Sequence, residues 1–205
     1  MEQMLQATLN PEFWYRFRWV ARGTDCMAAQ GREKEMKDEV RICEEGLEEC
    51  PKSWAVLGNF MMLLWIALGT VACWFFHPVA AWVYLGVAVV TVFFLLRRLV
   101  CVNCYYYGKW CPIGWGKLAA LFFKQGSVEK FSTSAGVKLA PIAYGLLSAV
   151  PIGLIIYALV KDVTAPKIAV LALLLLVSVY SGTISRRTSC AVCKMRLICP
   201  GSAVK

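Results

Sequence analysis

The sequence predicts an all-α integral membrane protein of four transmembrane helices, arranged as two tandem hairpin repeats that each end in a cytoplasmic cysteine motif. Three observations predict it. The 205-residue chain is 59% hydrophobic and only 17% charged, which is too apolar for a soluble domain of its size. The apolar residues gather in four uninterrupted runs near the ~20 residues that cross a hydrocarbon core. One phrase also occurs twice. Arg97-Arg98-Leu-Val-Cys101-Val-Asn-Cys104, closed by Cys111-Pro112, returns as Arg186-Arg187-Thr-Ser-Cys190-Ala-Val-Cys193, closed by Cys199-Pro200. The Arg pairs and Cys-x-x-Cys pairs are offset by 89 residues and the Cys-Pro pairs by 88, so the copies differ by a single deletion. The repeated pattern is RR-x2-C-x2-C-x5/6-C-P.

Residues 1–52 form an N-terminal segment expected to be helical and cytoplasmic. It begins without the basic region, apolar core and small-residue cleavage site of a signal peptide, so retention of the N-terminus is expected. Asn10-Pro11 starts a helix whose aromatic residues (Phe13, Trp14, Tyr15, Phe17, Trp19) alternate with Arg16 and Arg18. Such a helix suits either the headgroup region or packing on the cytoplasmic loops. From Arg32 to Glu49 a charged helix is expected, with Val40, Cys43, Leu47 and Cys50 forming a narrow stripe. On such a helix Cys43 and Cys50 stand roughly 10 Å apart at about 1.5 Å of rise per residue, so one ion does not easily take both unless the helix ends first.

The four spans are expected at Trp54 to Phe76, Pro78 to Leu96, Leu139 to Val160 and Ile168 to Ile184. The short connections at His77-Pro78 and Lys161 to Lys167 make two antiparallel hairpins. The first repeat occupies residues 53–135, as hairpin 54–96, motif 97–117 and an amphipathic segment. The second occupies 136–205, as hairpin 139–184 and motif 186–201. Residues 1–52 hold 8 Lys/Arg against 11 Asp/Glu, which leaves 14 basic and 2 acidic residues for the rest. Twelve of the 14, all but Lys161 and Lys167, follow the second and fourth runs, so both motifs and both termini are expected on the cytoplasmic face of an inner membrane. Beside apolar runs this balance marks membrane flanks and gives no reason to expect nucleic acid. Two hairpins of one orientation imply a pseudo-twofold axis along the membrane normal, which brings the two motifs together.

A Cys-x-x-Cys pair lets two thiolates reach one centre from a single turn, and two such pairs complete a tetrahedral site for zinc or iron. The candidate ligands are Cys101, Cys104, Cys111, Cys190, Cys193 and Cys199. A Cys-Pro beyond a Cys-x-x-Cys is also how iron-sulfur proteins present a further ligand. One four-thiolate zinc site leaves Cys111 and Cys199 unexplained. One or two [4Fe-4S] clusters use them, and two clusters need eight ligands, for which Cys26, Cys43 and Cys50 are further candidates. Cys73 lies inside a span and is expected to pack there. Lys109, Lys194 and Arg196 are expected to favour thiolate, and Gly108, Gly114 and Gly116 to bring backbone amides to sulfur.

The segment Tyr107-Gly108-Lys109-Trp110-Cys111-Pro112-Ile113-Gly114-Trp115-Gly116-Lys117-Leu118, on a four-helix frame with paired Cys-Pro motifs, resembles the membrane polyferredoxin-like quinol dehydrogenase subunits associated with periplasmic nitrate and nitrous oxide reductases. The resemblance implies iron-sulfur clusters that pass electrons between the quinone pool and a redox partner protein, with Cys111 and Cys199 as cluster ligands. The family spacing is Cys-x3-Cys-Pro; here it is Cys-x6-Cys-Pro and Cys-x5-Cys-Pro, with an additional upstream Cys.

His77 is the only histidine and sits at the opposite end of a hairpin, which excludes a haem held by paired histidines. Outside the N-terminal segment the acids are Glu129 and Asp162, both in loops, so the buried carboxylate usual in ion-coupled transporters is missing. Pro141 and Pro151 are expected inside the third span, and Gly69, Gly86, Gly145 and Gly153 at close helix contacts. Tyr105, Tyr106, Tyr107, Trp110 and Trp115 suit an interfacial aromatic belt or a quinone and electron path. Three function classes remain: iron-sulfur electron transfer, a scaffold pinned by structural zinc, and thiol-disulfide exchange. Cytoplasmic placement disfavours the third.

Overall fold

The computed structural model describes residues 42, 43 and 46–204, and among them no strand occurs. Helix α1 (Lys52–Trp74) starts after Pro51, whose extended backbone cannot continue a helix backwards. It turns through Phe75 and Phe76 into α2 (Pro78–Val89), which has proline in its first turn and His77 as its cap; the Val79 N–H donates to His77 Nδ1 at 3.2 Å. A loop role for His77 is therefore borne out. The helix continues through a π-helical stretch (Val90–Leu95), then α3 (Leu96–Val100) and a 3-10 turn (Cys101–Asn103). Next come α4 (Trp115–Phe122), α5 (Ala135–Lys161), α6 (Ala165–Tyr180), a second π-helical stretch (Ser181–Ser185) and α7 (Arg186–Ala191).

Four continuous helical segments, Lys52–Trp74, Pro78–Asn103, Ala135–Lys161 and Ala165–Ala191, are long and apolar enough to cross a membrane. The chain is thus a multi-pass membrane protein by length and composition. The second and fourth segments outrun the apolar runs read from sequence because the helix does not stop where charge begins. Arg97, Arg98, Arg186 and Arg187 ride on it. Cys101 and Cys190 consequently start from helical backbone instead of a free loop.

Helix α1 lies against α2 and against both α5 and α6, while α3 meets α5. Trp65, Ile66, Ala72, Cys73, Ala81, Tyr84, Ala88, Val92, Leu147, Ile155, Leu174 and Val177 form the core between them. Apolar residues on the outward faces, such as Phe60, Trp82, Ile142 and Leu176, stay exposed, as a lipid-facing surface requires. Gly69 makes the close contact expected of it: a Cβ there would stand 2.4 Å from the Tyr84 hydroxyl, which donates to the Leu147 carbonyl at 3.0 Å and ties the two hairpins together. Gly86, Gly145 and Gly153 meet nothing within 4 Å, so they are not contact glycines. Pro141 and Pro151 both lie within the 27 residues of α5.

Candidate metal centre

The two cysteine motifs fold alike. In each Cys-x-x-Cys the second cysteine closes a turn on the first: Cys104 N–H donates to Cys101 O at 3.3 Å, and Cys193 N–H to Cys190 O at 3.2 Å. The next turn recurs as well, from Tyr107 N–H to Cys104 O at 3.0 Å and from Arg196 N–H to Cys193 O at 3.2 Å. After each Cys-Pro the bond repeats again, Gly114 to Cys111 at 2.8 Å and Ser202 to Cys199 at 3.1 Å. Backbone N–H groups also reach sulfur at matching positions, Tyr106 to Cys104 and Met195 to Cys193, with Gly201 to Cys199 besides. Amide donors of this kind stabilise a thiolate and any centre it ligates.

The stretch before α1 lies across both motifs as a strap. Cys43 N–H donates to Lys194 O at 2.9 Å, Leu47 N–H to Val192 O at 3.0 Å, and Cys50 N–H to Trp110 O at 2.8 Å. Residues 42, 43 and 46–50 are not helical, which corrects the expected helix to Glu49 over these positions. Two local causes account for it. Gly46 passes so close to Lys194 that a Cβ would stand 2.7 Å from its backbone nitrogen, and Pro51 drives Cys50 out of the α region. The stripe spacing that separated Cys43 from Cys50 therefore does not apply. Residues 1–41, including Cys26 and the aromatic-arginine segment, lie outside the described residues.

Tyr106 locks strap to motifs. It is 3% exposed, donates its hydroxyl to Leu47 O at 2.7 Å, and accepts from Lys194 N–H at 3.2 Å, so one side chain joins all three segments. Tyr106→Phe is expected to leave a buried N–H and a part-buried C=O short of a partner and to cost about 1–3 kcal/mol. Thermal melting of the detergent-solubilised protein measures it.

Seven free thiols lie at this end of the bundle, each within electrostatic reach of at least one other. Cys104 is within electrostatic reach of Cys101, Cys111 and Cys193; Cys50 of Cys111 and Cys193; and Cys193 of Cys190, Cys199 and Cys111. Cys50, Cys101, Cys104, Cys111, Cys190, Cys193 and Cys199 all carry free sulfurs, whereas Cys43 is disulfide-bonded. Cys73 is free but buried in the core of α1, as expected. Burial, followed by repulsion from the neighbouring sulfurs, pushes the Cys50 thiol up to about 12; burial likewise pushes Cys193 up to about 11, and Cys104 and Cys199 upward. Thiols crowded in this way are a donor set that a soft metal cation would ionise. Among the described residues no three His, Cys, Asp or Glu converge closely enough to hold a single metal ion. A polynuclear group would take such thiols at separate metal atoms, where a single ion would not.

The basic residues differ from expectation. Lys109 and Lys194 point at the strap: Glu48 pairs with Lys194, lies 3.5 Å from Lys109 Nζ and accepts from the Tyr105 hydroxyl at 2.6 Å. The Lys194 contact and then Tyr105 hold the Glu48 carboxyl down at about 2. Arg196 donates to Ala191 O at 2.9 Å. The charge beside the sulfurs comes instead from one Arg of each pair, Arg97 near Cys101 and Cys111, and Arg186 near Cys199. The repetition of those pairs was the signal for them. The Gly108 and Gly114 amides likewise donate to carbonyls, at 3.0 and 2.8 Å, and not to sulfur. Tyr106 and Trp115 are buried, and Tyr107 donates to Phe123 O at 2.6 Å, so these aromatics pack the site instead of forming an outward belt.

No family model, curated protein or solved structure matches this chain.

Proposed function

We propose that this protein is an inner-membrane electron-transfer subunit, built as two tandem hairpin repeats, whose cytoplasmic cysteines hold one or two [4Fe-4S] clusters. The observation that carries the reading is the meeting of seven free thiols from three chain segments at one end of the bundle. That is more than one tetrahedral ion takes, and a cubane takes four. The recurring turn bonds and the two π-helical stretches ahead of the Arg pairs support the tandem repeat. One-electron exchange between a reduced soluble carrier and an oxidised membrane acceptor, such as a quinone, is the chemistry this group supplies when bound. The chain's own residues position it. Paired turns set the sulfurs, Tyr106 clamps the motifs, and the strap brings Cys50.

An anaerobic redox titration followed by visible absorption tests the reading. Reversible bleaching of a brown chromophore is expected. A colourless protein, or one without a reversible couple, would overturn it.

Cys50 is proposed as a ligand alongside the motif cysteines. Cys50→Ser is expected to lower bound iron severalfold, since even outer-shell changes typically cost 10–100-fold in metal affinity. Iron analysis checks this, and wild-type iron content would remove Cys50 from the set.

The disulfide at Cys43 favours a second reading, a thiol-disulfide protein facing an oxidising compartment. Orientation separates the two. In intact cells an impermeant maleimide is expected to label Val163→Cys, in the turn opposite the motifs, and to spare Lys124→Cys. The reverse pattern would favour thiol-disulfide exchange.

A further inference from the structure

The repeat places Arg97 and Arg186 at equivalent positions, yet they end in different company. Arg186 is exposed and donates to the carbonyl of Gly201, two residues beyond Cys199. The equivalent carbonyl in the first copy, two residues beyond Cys111, belongs to Ile113 and accepts from Asn59 Nδ2 at 2.6 Å. Arg97 is 5% exposed, and its Nε and Nη2 have no acceptor. Its guanidinium stands 4.7 Å from the Phe93 ring centre and 5.1 Å from that of Trp115. The buried Trp115 indole Nε1 lacks an acceptor as well. Two touching side chains thus present three buried donors.

An unpaired buried cation is costly, and aromatic faces offset only part of that cost. The groups in electrostatic reach of Arg97 that can become anionic are the sulfurs of Cys101 and Cys111 and the hydroxyl of Tyr144. A neutral thiol is a weak acceptor, whereas a metal-bound thiolate is a strong one.

We propose that Arg97 and the Trp115 indole form a donor cradle for the ligating sulfurs of Cys101 and Cys111, setting the reduction potential of the centre they hold. This rests on the cluster reading above. Reduction adds one negative charge to the centre, and a fixed guanidinium in a site of low dielectric favours that charge. Arg97 therefore makes the centre easier to reduce. The second copy, with Arg186 turned to the Gly201 carbonyl, has no such cradle. Arg97 is a positioning and tuning residue, so its signature is a potential.

The test uses the full chain purified without oxygen, with iron and acid-labile sulfide measured beside the midpoint potential. Arg97→Gln is expected to keep its iron but to become harder to reduce. At a fixed potential the reduced-to-oxidised ratio should fall at least tenfold, about 59 mV for a one-electron couple. Arg97→Lys, which keeps the charge, should restore most of the shift. Trp115→Phe, which removes one donor and no charge, should shift the midpoint less and in the same direction. Wild-type midpoints in Arg97→Gln and Trp115→Phe would overturn the proposal. If Arg97→Gln holds no iron, Trp115→Phe decides alone: a negative shift supports the cradle and an unchanged midpoint overturns it. Wild-type protein without iron or sulfide would instead defeat the cluster reading itself, and the cradle with it.

Discussion

With the proposed cluster in place, Cys111→Ser is expected to strip about nine-tenths or more of its iron and sulfide, because loss of a ligand should exceed the 10–100-fold that outer-shell changes cost. Cys111 is in electrostatic reach of Cys50, Cys101, Cys104 and Cys193, so it stands where strap and both motifs meet. Serine keeps the shape but replaces a soft thiolate with a hydroxyl that iron binds poorly. Cys199→Ser is expected to act in the same direction, since Cys199 closes the second motif as Cys111 closes the first and lies beside Cys190. Cys73→Ser provides the control: that side chain is buried among the spanning helices, so its replacement should affect packing and leave iron in place. Full iron in either motif mutant would remove that cysteine from the ligand set and favour a single site on the two Cys-x-x-Cys pairs.

Gly116→Ala is expected to be the most damaging substitution outside the cysteines. A Cβ at that position would stand 1.8 Å from the Tyr106 carbonyl oxygen and 2.5 Å from that of Lys109. Both obstacles are backbone, and the loop they belong to carries Cys104 and Cys111. Gly116 O also accepts from Gly108 N–H at 3.0 Å, which pins the loop from the other side. Relief requires moving that loop away from Tyr106's bonds to the strap and to Lys194. The cost should reach the upper part of the range for overpacking, about 3 kcal/mol or more. Gly86→Ala and Gly145→Ala, where a Cβ meets nothing within 4 Å, are expected to change stability little. Comparison of the three melting temperatures in one detergent checks the ranking. Equal melting temperatures would contradict the packing described here.

The spans were legible because lipid leaves a sequence little freedom: each helix must satisfy its own backbone and present apolar side chains for ~20 residues. The cysteine motifs stand out in the sequence because they recur at fixed spacing, and their turn bonds recur with them. The strap was misread for a physical reason. Val40, Cys43, Leu47 and Cys50 are spaced as a helical stripe, but periodicity reports only what a helix would do, and the approach of Gly46 to Lys194 is a tertiary contact no local pattern records. Pro51 was the local clue that the chain before it is extended. The lysines were assigned to sulfur by proximity in sequence, although Glu48, far from them along the chain, holds both. In the sequence the Arg pairs mark only the repeat and the membrane flanks. Their difference in company, Gly201 for Arg186 and aromatic rings for Arg97, exists only in three dimensions.

Iron, zinc and acid-labile sulfide per chain, measured on protein purified without oxygen and with absorption recorded before and after dithionite, test the central claim most directly. About four or eight iron with matching sulfide, the value of one or two cubanes, and bleaching on reduction are expected. About one zinc per chain, with no sulfide and no colour, would contradict it and make the seven thiols a structural clamp between the hairpins.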